Sequence, residues 1–106
     1  MTEKPDLEKI KQIAGDSDEL VQQLLEIIKE ELPQEIKRYK THLENKDYLK
    51  SAEDVHKLKH KISILNLSSG YELAVIYENE LRAGNPESAV IFENVLMAMT
   101  HFIEKF

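Results

Sequence analysis

Residues 17–44 read SDELVQQLLEIIKEELPQEIKRYKTHLE. Leu20, Val21, Leu24, Leu25, Ile28, Leu32, Ile36, Tyr39 and Leu43 recur at steps of three and four, the period of one helix face. Glu and Lys fill the positions between them. A continuous helix over this stretch is roughly 40 Å long. Pro33 removes one backbone bond and crowds the preceding turn. The apolar phase resumes on schedule at Ile36 and Tyr39, so a kink is expected rather than a stop.

The same period extends outward in both directions. Upstream, Leu7, Ile10 and Ile13 mark a short helix with Gly15 as its C-cap. Asp16 with Glu19 forms a possible capping box for the long helix, with Ser17 as the alternative cap. Downstream, Asn45-Lys46-Asp47 is a tight connection with Asp47 as N-cap. Tyr48, Ala52, Val55, Leu58, Ile62 and Leu65 then form a third pattern. Asn66 to Gly70 is a turn in which Ser69 and Glu72 are placed as a capping box. Leu73, Ala74, Ile76, Tyr77 and Leu81 form the fourth pattern. Asn85-Pro86 supplies an N-cap and a first-turn proline for the last, which runs through Phe92, Val95, Leu96, Met99, Phe102, Ile103 and Phe106, with Val90 and Ile91 near its start. Four long amphipathic helices with short connections predict an all-α fold, an antiparallel up-and-down four-helix bundle with a short additional N-terminal helix. Residues 1–106 are read as one domain. Met97, Met99, Phe92 and Phe102 are read as core filler, and the four tyrosines as packing residues with a polar end.

Composition narrows the function. The 106 residues are 42% hydrophobic and 32% charged, with a net charge of −6. That sign argues against nucleic acid and anionic lipid as partners. Cys is absent, so thiol catalysis and Cys-ligated metal are excluded. No apolar run approaches a membrane span. Met1-Thr2-Glu3-Lys4-Pro5 leads into no apolar stretch and is not read as a signal peptide. A complete, small, cytoplasmic chain is expected, and a monomer, because no further apolar stripe stands out once the core is assigned.

One stretch departs from the acidic average. From Val55 to Tyr71 there is no Asp or Glu, and Lys57, Lys59 and Lys61 alternate with His56 and His60. At about 100° per residue, His56, His60 and Ser63 share a stripe beside the apolar face, with Lys59 at its core-side edge. Lys57 and Lys61 point further toward water. His56 is then partly exposed on a rigid helix. A neutral imidazole is a nucleophile toward an activated phosphoryl group. Lys59 lies one turn away, where an ammonium stabilises phosphoryl oxygens. Glu78, on the next helix, is a candidate to hold the other ring nitrogen and fix its tautomer. A competing reading has His56 and His60, at i and i+4, ligating a metal with Glu78 as third ligand. The bland reading is a solvated Lys-rich face with incidental histidines. His42 is read as a dipole or surface contact and His101 as structural. Glu30-Glu31 and Glu53-Asp54 are read as solvated helix faces.

Val55-His56-Lys57-Leu58-Lys59-His60 resembles the signature of histidine-containing phosphotransfer domains of bacterial phosphorelays: His, any residue, Leu or Ile, Lys, Gly. Gly15-Asp16-Ser17-Asp18-Glu19-Leu20 is similar to the start of that family's second helix. Glu30-Glu31-Leu32-Pro33 is similar to its acidic stretch ending in Pro, Asn45-Lys46-Asp47 to the turn before its active helix, and Leu73-Ala74-Val75-Ile76-Tyr77-Glu78 to the helix that follows. The resemblance implies that His56 accepts a phosphoryl group from a receiver-domain Asp and passes it to another receiver. It implies that Lys59 stabilises that group, with minor support from Lys57, and that Glu78 orients the imidazole. The partners it implies are a response-regulator receiver and a hybrid histidine kinase. The domain then has no kinase or phosphatase activity of its own, no cofactor and no metal, and Mg²⁺ belongs to the receiver. The island of Lys57, Lys59 and Lys61 would suit an acidic receiver pocket. His60 departs from the pattern, because the family usually has Gly there. The imidazole fills space used by the receiver's loops and the phosphoryl group, so His60 is read as a site-modulating residue. The alternative is a degenerate adaptor that binds a receiver or kinase without transfer.

Overall fold

The computed structural model describes residues 3–106; Met1 and Thr2, the start of the stretch read for a signal peptide, lie outside the described residues. All regular structure among the described residues is helical: α1 (Glu8–Ala14), α2 (Asp18–Glu44), α3 (Tyr48–Ile64), α4 (Ser68–Arg82) and α5 (Ala89–Ile103). The 27 residues of α2 make a rod of about 40 Å, which sets the 43 Å long axis of the molecule. The helix continues through Pro33. No helix among the described residues is long and apolar enough to cross a membrane.

Several helix ends follow the sequence signals. Gly15 closes α1 in the left-handed region at φ 59°, where a side chain would be strained. Of the two proposed caps for α2, Ser17 acts: its side chain accepts from the Leu20 amide, and Asp16 instead takes a left-handed turn conformation. Asp47 caps α3 by accepting from the Lys50 amide. The Asn85-Pro86 start of the last helix is displaced. Asn85 Oδ1 accepts from the Glu87 amide in a local turn, and α5 begins at Ala89.

The start of α4 is also built differently from the expected Ser69–Glu72 box. Leu67 stands at the N-cap and no side chain of the turn caps the helix. Glu3 does so from far away in the chain. Its two carboxylate oxygens accept from the amides of Ser69 at 2.9 Å and Gly70 at 3.2 Å, which favours a negative group at a helix N-terminus. Asp6 pins the same turn, donating its amide to the Leu65 carbonyl and accepting from the Asn66 side chain. Gly70 lies at a close approach of α4 to its neighbours. A Cβ there would meet Val95 Cγ1 at 3.2 Å and Leu67 Cβ at 3.3 Å.

Helix α2 packs on α3, α3 on α4, α4 on α5 and α5 back on α2, while α1 lies on α2. The expected apolar stripes meet inside, with Leu32, Val55, Leu58, Ile62, Leu81 and Met99 fully buried. Met97 does not join them. It is 48% exposed, as are Ile27, Ile76 and Ile91 to similar degrees and Val90 more so. Apolar surface therefore does remain outside the core, against the premise used to expect a monomer.

Tyr39, Tyr77 and Phe92 tie α2, α4 and α5 together. Tyr39 meets both other rings edge-on, at centroid separations of 6.2 and 5.6 Å. The two hydroxyls share a hydrogen bond of 2.6 Å in the core. Burial pushes both phenols above their ordinary range, so both stay protonated. Either Tyr→Phe change alone leaves a buried hydroxyl without its partner and is expected to cost about 1–3 kcal/mol. The double change removes both polar groups and is expected to cost less than the sum of the two, as read from a double-mutant cycle in urea. Strict additivity would mean the two hydroxyls do not depend on each other.

Candidate functional site

His56 lies in the middle of α3 with its side chain 55% exposed. Its Nδ1 is 3.2 Å from Glu78 Oε1 on α4. A carboxylate only accepts, so the proton of the neutral ring sits on Nδ1 and the Nε2 lone pair remains for chemistry. The Glu78 side chain is 10% exposed, and that same Oε1 receives Lys59 Nζ at 3.0 Å. Its second oxygen, Oε2, accepts from Arg82 Nη2 at 2.9 Å and Nε at 3.3 Å. Burial raises the Glu78 carboxyl, but the hydrogen bonds from Lys59, Arg82 and His56 outweigh it and hold the group below the usual carboxylate range. The carboxylate is therefore a fixed negative centre gathering three donors. The three-ligand metal reading needs a lone pair from Glu78 that these donors already occupy. Among the described residues no group of three or more His, Asp or Glu converges as a metal site would.

The lysines of the island have three different environments. Lys57 projects into solvent without an ion pair among the described residues. The Lys59 ammonium lies between Glu78 and the face of Tyr71, 5.8 Å from the ring centroid, so Tyr71 has a polar contact beyond packing. Lys61 does not point toward water: it is buried, held by Glu31 and Glu35 at 2.9 Å each. Those two carboxylates stand one turn apart on α2, where α2 crosses α3, and their hydrogen bonds keep the Lys61 ammonium above its ordinary range against the opposing effect of burial. The expected patch of three free cations is thus reduced to Lys57 and the partly engaged Lys59.

His60 stands on the exposed side of α3, its ring 6.2 Å from the His56 ring and perpendicular to it. It forms one wall of a groove of about 120 Å³ lined otherwise by Ile13, Leu24, Ile27, Ile28 and Ile64, with the Glu31–Lys61 ion pair at one side. Ile13 is 63% and Ile27 50% exposed. α1, α2 and α3 together thus place an open apolar surface within a turn of His56.

Residues outside the expected set also carry polar contacts. Arg82 is one; its i, i+4 spacing from Glu78 is the signal that sequence reading passes over. Asp54 is another. It is buried and accepts from His42 Nδ1, so Asp54 is no solvated helix face, and His42 joins the end of α2 to α3. His101 is exposed. Comparison with protein-family models, with curated proteins and with solved structures finds no match.

Proposed function

We propose that this chain is a phosphohistidine carrier of the histidine-containing phosphotransfer type. One observation carries the reading: an exposed imidazole on a rigid helix, its Nδ1 held by a buried carboxylate, keeps its Nε2 lone pair for chemistry one helical turn from the groove that His60 lines. The frame in this reading is an antiparallel up-and-down bundle of α2 to α5 with α1 added. His56 Nε2 attacks the acyl phosphate of a receiver Asp. The P–O bond to that carboxylate breaks, a P–N bond forms, and the Asp leaves as carboxylate. Glu78 stabilises the positive charge that the ring gains at Nδ1. Lys59 and, from further out, Lys57 face the transferred oxygens. Mg²⁺ comes with the receiver. The groove of α1, α2 and α3 receives an apolar element of that partner. The chain itself is a cytoplasmic carrier with neither kinase nor phosphatase activity.

A second reading is favoured by His60 and by the Lys59–Glu78 ion pair. The ring fills space beside the nucleophile, and the ammonium is already engaged. An adaptor that binds a receiver or kinase without accepting phosphate has the same fold and groove. Mixing the chain with phosphorylated receivers in Mg²⁺ separates the two. The carrier gains one acid-labile, base-stable phosphoryl group by intact mass. Binding without label, surviving His56→Gln, means an adaptor.

A further inference from the structure

Glu78 divides its two oxygens unequally. Oε1 serves both Lys59 and His56, while Oε2 is given over to Arg82, which reaches it through two nitrogens from one turn further along α4. We propose that Arg82 is a positioning residue: it keeps Glu78 aligned on His56 Nδ1 when Lys59 is drawn away to an anion on Nε2. The inference rests on the phosphoacceptor reading of His56.

Lys59 faces a double demand. A phosphoryl group on Nε2 brings about two negative charges next to an ammonium on a flexible stem. That ammonium is bound to Glu78 at 3.0 Å in the unmodified chain. If it moves to the phosphoryl oxygens, a carboxylate whose side chain is 10% exposed loses a cation. A buried carboxylate stripped of its cations is strongly disfavoured. Glu78 would then either hold Lys59 back or rotate toward solvent and release Nδ1. Arg82 removes that choice. Its planar fork approaches through both Nε and Nη2 and stays charged at all relevant pH. Oε2 remains paired, Oε1 is left to the Nδ1 proton alone, and Lys59 is released without stranding the carboxylate.

A purely structural role for Arg82 makes a different forecast. Its side chain is 46% exposed, and an exposed i, i+4 pair contributes only a few tenths of a kcal/mol. A cation in the last turn of α4 also suits the helix dipole. Removing Arg82 would then lower stability slightly and leave the His56 ring undisturbed.

The test uses phosphoramidate as phosphoryl donor, so no receiver is needed. The Nε2 lone pair attacks phosphorus, the donor's P–N bond breaks, ammonia leaves, and the ring carries the positive charge with its proton on Nδ1. Labelling rates are compared for wild type, Arg82→Gln and Arg82→Lys. In parallel, ¹⁵N NMR of the neutral His56 ring reports which nitrogen carries the proton, with and without Arg82→Gln in a Lys59→Met background that takes the ammonium off Glu78 Oε1. Arg82→Gln is expected to slow labelling about tenfold and to convert a ring protonated at Nδ1 into a mixture of tautomers, with Arg82→Lys keeping most of both properties. Wild-type rate and wild-type tautomer in Arg82→Gln would overturn the proposal. So would a slower rate that tracks a fall in melting temperature while the tautomer stays unchanged. If wild type takes no label from phosphoramidate or from any receiver, the phosphoacceptor reading fails. The tautomer comparison still decides by itself whether Arg82 positions Glu78.

Discussion

Exchanging His56 for Gln is expected to abolish phosphoryl acceptance, a loss of more than about a thousandfold, while leaving the fold intact. The position is exposed on α3, and Gln is a good helix former. Its amide can still donate to Glu78. Only the nucleophilic lone pair disappears. Intact mass after incubation with phosphorylated receivers reads the result directly, and label persisting on the variant would assign the chemistry to another residue, with His60 the first to examine. His60→Gly is expected to change the rate in the opposite direction. It removes the ring 6.2 Å from that of His56 and opens the wall of the groove. Glycine within a helix costs roughly 1 kcal/mol, so His60→Ala serves as the companion variant. Faster transfer in both would show that the ring restrains docking. Slower transfer in both would make His60 a contributor to the phosphoryl contacts.

The second large effect concerns stability. Glu78→Ala is expected to cost about 2–3 kcal/mol, or a fall in melting temperature of roughly 10 °C. It leaves Lys59, whose side chain is 16% exposed, without its carboxylate, and deprives Arg82 and His56 of their acceptor. The pH dependence has a definite sign. The Glu78 carboxyl is lowered from its ordinary value of 4.5 on folding. Its stabilisation is therefore complete above that value and lost as pH falls through the folded-state value. Denaturant melts of wild type and variant should differ most near neutrality and converge in acid. A gap of the same size at both ends would place the effect in packing rather than in charge.

The helices were legible in the sequence because their apolar steps are regular, and the buried sets of α2 and α3 follow the expected stripes closely. His56 and Glu78 were also within reach. The first stood on a defined stripe beside the core, and the second was sought as a carboxylate on the next helix. What escaped depends on side chains that meet across helices. Lys61 reads as a solvated position on α3 alone, and only the arrival of Glu31 and Glu35 from α2 makes its burial tolerable. The same holds for Asp54, whose partner His42 lies on the far side of the connecting turn. Helix starts failed where a distant or competing group did the capping, as at Ser69 and Asn85. Arg82 was hidden for a different reason. Its spacing from Glu78 is ordinary on any helix surface, and it acquires meaning only because Glu78 also faces His56.

The Glu3 carboxylate on the α4 amides also sets an order of events during folding. α2 pairs with α3, α3 with α4, and α4 with α5, and such short-range pairings form quickly. The contact from Glu3 to Gly70 closes 67 positions of chain, a larger entropic step for a small gain. The amides it holds are presented only after the turn at Asn66 has started α4. The stretch from Glu3 to Asp6 is therefore a late clasp. On a growing polypeptide it waits until Gly70 has been synthesised, and it shuts only once the helices it fastens have found one another.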